Sequence, residues 1–303
     1  MRIMKFFGRN ANRLIVALSI IVGTTLLVAY APAAVRSTSL VARLWSVASS
    51  TFFIAVVSTF AAAFAGAWGA QLIANNSQDK RILLDEIRAT NTSRRLAFNV
   101  INTYLVFKQQ HIRELCRQYR EQCAAHAAHL GRIRANSVIP SAPFRYEPNL
   151  GTLIPPFSPI EELKHVLLDR VECGRAQILL TPLLQSIDTM KTALVARNEW
   201  IKARKDTPPE QKSEEYFADL YFGIESPGGR LDQTYPNCIE ALGQNNDNCI
   251  GFALVLMQAL EKYAEELCDK LGRGGPKMKK ADFAKAAEEG LLPEMAVFIA
   301  WAQ

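Results

Sequence analysis

The chain has 303 residues, with 35 Lys and Arg against 29 Asp and Glu, enough for a membrane segment plus one or two soluble domains with their own core. Residues 1–78 carry six basic groups and no acid, while residues 79–303 carry 29 of each sign. The positive excess therefore belongs to the N-terminal stretch, and the remainder lacks the basic face with interleaved aromatics that DNA or RNA binding requires. No nucleic-acid partner is expected.

Two uncharged runs dominate the N-terminal part: Leu14 to Val35, 22 residues, and Leu44 to Gln78, 35 residues. A helix rising 1.5 Å per residue needs about 20 apolar residues to cross the hydrocarbon core, so each run is long enough. The short break from Arg36 to Arg43 favours a transmembrane hairpin over residues 1–77, with helices at about 14–35 and 45–74. Four basic residues precede the first run, and Lys80, Arg81, Arg88, Arg94 and Arg95 follow the second. By the positive-inside rule, both termini then lie in the cytoplasm and the loop outside. The rival expectation makes residues 14–33 a signal peptide cleaved near Ala31-Pro32-Ala33, although the apolar run is longer than the usual signal core. No Asp, Glu, Lys, Arg or His lies inside either run, which argues against a proton relay or ion path.

Within the second run, Ser58, Ala62, Gly66, Ala70 and Ala74 form an i, i+4 stripe of small residues. Phe52, Val56, Phe60, Phe64, Trp68 and Leu72 form a bulky stripe on the opposite face. Small residues let helices approach closely in lipid, so Ser58, Ala62, Gly66, Ala70 and Ala74 are the candidate site for membrane helix packing.

Residues 78–134 predict a long juxtamembrane helix from the spacing of Leu84, Ile87, Phe98, Ile101, Leu105, Ile112, Leu115 and Tyr119. Arg94 and Lys108 interrupt its apolar seam, and Asn91, Asn99 and Asn102 read as surface residues. Residues 135–158 hold five prolines and predict a loop. The cytoplasmic helical domain, 159–303, then opens on a capping box, with Ser158 as N-cap, Pro159 at the first helical position and Glu161 closing it. That helix is expected to end near Gly174. Pro182 is expected near the start of a second helix reaching about Arg204, and Tyr216 to Phe222 form a short aromatic one. Asp247 is expected to cap a helix stopping at Gly272. A helix around Phe283 and a final apolar core segment, Met295 to Trp301, complete an all-α chain.

Six cysteines, Cys116, Cys123, Cys173, Cys238, Cys249 and Cys268, form no C-x-x-C pair. In a cytoplasmic setting they remain reduced and behave as small hydrophobes. Cys123, His126 and His129, with His111 and Cys116 upstream, carry zinc-type ligands. Steps of three residues do not converge on one ion, however, so a solvated histidine face is the preferred reading. Gly272-Arg273-Gly274-Gly275-Pro276-Lys277 lacks the spacing of a phosphate loop, and Gln244 to Asn248 shares only composition with a calcium loop. No catalytic motif is found, and no catalytic residue, cofactor or metal is assigned.

Gly66 to Gln71, then Glu86-Ile87-Arg88, Asn99-x-x-Asn102, Lys108-Gln109-Gln110-His111 and Ala196-Arg197-Asn198-Glu199 resemble a set of bacterial inner-membrane proteins of uncharacterised activity. The resemblance covers the middle half of the chain and implies a bacterial inner-membrane location with this architecture. The expected function is a membrane-anchored, non-enzymatic helical module that binds a protein partner or itself at the cytoplasmic face. The alternatives are an effector that disturbs the bilayer when its helical domain is triggered, and an enzyme with a site built from unconnected polar residues.

Overall fold

The computed structural model describes residues 51–136, 144–207, 214–225, 229, 231–272 and 281–301. Among these the chain is all-helical, without strands. The first expected membrane helix, the loop from Arg36 to Arg43 and the candidate cleavage site fall outside the described residues, as do Pro208-Pro209, Ser226-Pro227-Gly228 and the glycine-rich run after Gly272.

The elements in order are α1 (Thr51–Phe107), a π-helical turn (Lys108–Ile112), α2 (Arg113–Asn136), α3 (Ile160–Arg170), α4 (Gly174–Lys205), α5 (Glu214–Phe222), α6 (Thr234–Leu271), α7 (Ala284–Glu288) and α8 (Met295–Trp301). Two compact units divide within α1, residues 1–79 and residues 80–303.

In the first unit the described residues are helical and expose large apolar side chains, including Phe60, Phe64, Trp68, Leu72 and Ile73. Ser58 Oγ and Thr59 Oγ1 both donate to the carbonyl of Ala55, at 3.0 and 2.7 Å, so these hydroxyls are satisfied within the helix. The helix Ala55–Ile133 contains a stretch long and apolar enough to cross a membrane.

In the second unit α4 and α6 form an antiparallel pair. Trp200 meets Tyr235 at one end, with ring centroids 4.6 Å apart, and Cys173 and Tyr263 share a small cavity at the other. Leu183, Ile187, Met190, Leu194 and Ile201 from α4 bury with Leu242, Ile250, Leu256 and Leu260 from α6. Val100, Ile101 and Tyr104 of α1 complete this core, each fully buried. Removing any of the large aliphatic side chains costs about 2–5 kcal/mol, because the surroundings close the void only in part.

Arg94 of α1 and Lys108 of the π-helical turn, which interrupt the apolar seam, find acids on α6. Arg94 Nε pairs with Glu261 at 3.1 Å and Lys108 Nζ with Asp247 at 2.6 Å. Both members step by 14 residues in opposite directions, four helical turns, which fixes an antiparallel register. Asn246, fully buried and next to Asp247 in the chain, donates to the carbonyl of Tyr104. At the lower end the Tyr263 hydroxyl donates to Glu86 Oε1, which also accepts the amide of Glu172 at 3.1 Å.

Four expectations are corrected. The helix placed after Pro182 begins instead at Gly174, with Pro182 inside it. Burial of Ala176, Leu179 and Leu180 outweighs the cost of about 3 kcal/mol for an internal proline. Asp247 is no N-cap, since α6 begins at Thr234. Tyr235, Cys238, Ile239 and Leu242 are buried on the same helix, so the polar run Gln244 to Asn248 is mid-helix. The helix after the proline loop starts one residue late, at Ile160, and the N-cap position is Pro159 with no side-chain cap bond. It ends at Arg170, short of Gly174, because Val171 turns extended and is buried. The final segment is not a core helix: Phe298 alone is buried, and Val297, Ile299 and Trp301 are exposed. By contrast α6 does stop at Gly272, whose φ of +82° suits glycine and whose amide donates to the carbonyl of Cys268.

Candidate functional site

The small-residue stripe lies on an open face. Ser58, Ala62, Gly66, Ala70 and Ala74 are all exposed, and a methyl group built on Gly66 would meet nothing within 4 Å.

In the second unit the polar residues of the motif stretches act as ties. Arg197, on α4, is fully buried. Its Nη1 donates to the carbonyl of Gly151 and its Nη2 to that of Asn149, both at 2.8 Å. The guanidinium carbon sits 5.7 Å from the centre of the Tyr235 ring, and the Tyr235 hydroxyl also donates to Asn149, at 3.2 Å. The next residue, Asn198, donates to the carbonyl of Leu153 at 2.7 Å and accepts its amide at 3.2 Å. Consecutive residues of one helix thus clamp residues 149–153 and give a buried guanidinium a set of carbonyl dipoles in place of a carboxylate.

Beyond the clamp the chain turns outward. Ile154 is 84% exposed and Phe157 94%, separated by Pro155 and Pro156. Between this ridge and α1 runs an open groove of about 650 Å³. Its helix side presents Asn102, Val106 and Gln110 and its loop side Thr152, Ile154 and Pro156. Val106 is 47% exposed. Residues 96–107 and 148–160 contain no charged side chain, and both lining segments draw on these stretches. Charge depletion of this kind marks the centre of protein interfaces.

An aromatic cluster adjoins the clamp through Tyr235. Tyr119 lies edge-on to Tyr221 and Tyr235, with centroids 5.4 and 5.8 Å apart, and Tyr146 reaches Tyr221 at 5.3 Å. His126 stacks on Phe222 at 4.5 Å with the planes 9° apart, and meets Phe144 edge-on. The solvated face expected for the histidines is thus corrected for His126, which is buried because residues 144 and 222 close over it. His129 also lies against Phe144, and His111 against Phe107. Cys123 bears on Tyr119 instead. Among the described residues no three His, Cys, Asp or Glu side chains gather closely enough to hold a metal ion. A larger groove of about 1100 Å³ adjoins this cluster, lined by Gln118, Gln122, Tyr146, Arg204 and Phe217 among others. Its rim carries both signs of charge.

Burial governs the titration of this unit. It pushes the thiols of Cys116, Cys123, Cys173 and Cys238 above their ordinary value, and does so more strongly for Cys249. These sulfurs are held as thiols, the unreactive form. The phenols of Tyr104, Tyr119 and Tyr221 are raised by the same cause, and desolvation lowers His126, with a smaller push from His129. What the arrangement offers chemically is shape and apolar surface.

Sequence reasoning missed the clamp and both ion pairs. The equal spacing of Arg94 to Lys108 and Asp247 to Glu261 was the available signal, as was the loss of charge from 96–107 and 148–160. Compared with protein-family models, curated proteins and solved structures, the chain matches none.

Proposed function

We propose that the protein is a membrane-anchored, non-enzymatic helical module that mediates protein–protein interaction or self-association at the cytoplasmic face of a bacterial inner membrane. The observation that carries this reading is the contrast within α1. From Ala55 to about Gln78 the helix exposes apolar residues on every side, and from Ile87 onward it buries them in a protein core. A helix apolar all round and exposed among the described residues is suited to lipid. The two-span arrangement with cytoplasmic termini rests on the flanking basic residues, and the bacterial location on the motif resemblance. The uncharged groove beside an exposed apolar ridge supports binding over catalysis.

Fractionation of expressing bacteria tests the anchor. The full chain should remain with alkaline-washed membranes, and a protease should reach residues 80–303 in inside-out vesicles but not in spheroplasts. Recovery in the soluble fraction would refute anchoring, and the reverse protease pattern would refute the orientation. Gentle extraction followed by mass determination then separates a defined homo-oligomer from a stoichiometric complex with another protein.

A further inference from the structure

From the ridge and groove beside α1 we infer that this face binds the same face of a second copy of the chain, forming a two-fold symmetric dimer in which Phe157 of each copy enters the groove of the other. The inference rests on the interaction reading above and names its partner.

The first support is shape. A two-fold interface pairs one surface with itself, so a contact made by residue i on residue j is repeated by j on i. Such a surface must carry both a projection and a recess. Here Ile154 and Phe157 project, at 84% and 94% exposure, and the recess of about 650 Å³ lies directly beside them. A phenylalanine ring fits within that volume together with the tip of an isoleucine.

The second support is charge. Two-fold symmetry sets any charged group close to the axis against its own copy, which like-charge repulsion penalises. Residues 96–107 and 148–160, which supply most of both walls, are uncharged, and Gln110 and His111 complete the helix wall. Lys108, at the edge of the helix wall, turns away to Asp247 and to the carbonyl of Leu291. Residues 79–303 otherwise carry 58 charged groups, so two consecutive uncharged walls facing one groove single out this surface.

The third support is rigidity. Arg197 and Asn198 hold the loop at residues 149, 151 and 153, Pro155 and Pro156 restrict the backbone beyond it, and α3 anchors its far end from Ile160. A ridge fixed in advance loses little entropy on docking, so its apolar side chains contribute more of their burial to affinity. Anchors of this type, aromatic and central, dominate interface energetics.

The test uses the full chain. In mild detergent, the mass of the wild-type protein should be that of a dimer, and Phe157→Asp should weaken dimerisation about 30-fold or more, the loss expected for a central aromatic anchor. Phe157 is almost fully exposed in the single chain, so the variant should keep the wild-type helicity by circular dichroism, which shows that folding is intact. Leu231→Asp, at an exposed apolar residue elsewhere, should leave the dimer unchanged. A photo-crosslinking benzoylphenylalanine placed at 157 should, in native membranes, yield a product of twice the chain mass linked to residues 102–111. A monomeric wild type, or a dimer that survives Phe157→Asp, overturns the inference. So does crosslinking to residues 1–50 of the same chain or to a different protein, and that last outcome would leave the broader interaction reading standing. Loss from the membrane fraction would instead refute the anchor on which that reading depends.

Discussion

The two stretches of α1 follow the same backbone geometry and opposite surface chemistry. Between Ala55 and Gln78 the large apolar residues Phe60, Leu72 and Ile73 are each more than half exposed. Between Ile87 and Phe107 the residues Ile87, Ala97, Val100, Ile101 and Tyr104 are almost wholly buried. Helical periodicity is satisfied in both. The difference lies in the other face: alanine, glycine and phenylalanine surround the first stretch, while Arg88, Arg95 and Asn99 occupy the outer face of the second. An amphipathic helix specifies a protein core, and a uniformly apolar one specifies a surrounding that is itself apolar.

Core truncation should separate the stretches most sharply. Leu183→Ala or Leu256→Ala, each at a fully buried site, should destabilise the bundle by about 2–5 kcal/mol in denaturant unfolding. Leu72→Ala, on the exposed stretch, should leave the same transition within about 0.5 kcal/mol. A matching loss at Leu72 would break the comparison.

Arg197→Met should cost about 1–3 kcal/mol, because the carbonyl of Gly151 loses its donor and that of Asn149 keeps only the Tyr235 hydroxyl. Hydrogen exchange at residues 149–153 should accelerate before that of α4, localising the damage to the clamp. The register pairs come next. Removing one partner, as in Glu261→Gln, should cost about 2 kcal/mol at this partly buried site. A double-mutant cycle over Arg94 and Glu261 should return a coupling of about 1 kcal/mol, with none between Arg94 and Asp247.

Gly251→Ala should destabilise by about 1–2 kcal/mol, since the new methyl carbon would fall 2.5 Å from the ring of Phe298. The cost should appear as undocking of α8, read from the fluorescence of Trp301, which leans on Phe252.

The smallest effect is that of pH. Burial against Phe222 and the neighbouring His129 hold His126 below the ordinary imidazole value, so the unfolded chain takes up a proton first as pH falls. The contribution of His126 is therefore complete above about pH 6.5 and declines as pH drops toward its lowered folded value. His126→Phe should flatten the acid limb of the stability profile. At the alkaline end the raised phenols and thiols work in reverse: stability should fall above about pH 9, where the unfolded groups begin to ionise.

Much of the helical layout was legible because each long helix announces itself by apolar residues three and four apart. The stop of α6 at Gly272 followed from glycine's tolerance of positive φ. The starts of α4 and α6 were misread for one physical reason. Local signals at Pro182 and Asp247 describe what an isolated chain prefers, and burial of a further turn or more of apolar residues outweighs those preferences. His126 was misplaced similarly, since nothing local reveals that residues 144 and 222, far apart in the chain, close over it.

Composition and periodicity by themselves determined that the chain is helical and that it contains a run long and apolar enough for a bilayer, because both properties are local sums over neighbouring residues. Tertiary structure alone decided the partners of Arg94, Lys108, Arg197 and Asn198, and set an uncharged groove beside an exposed phenylalanine. Those features depend on which distant segments meet, and that is settled by packing the whole core at once.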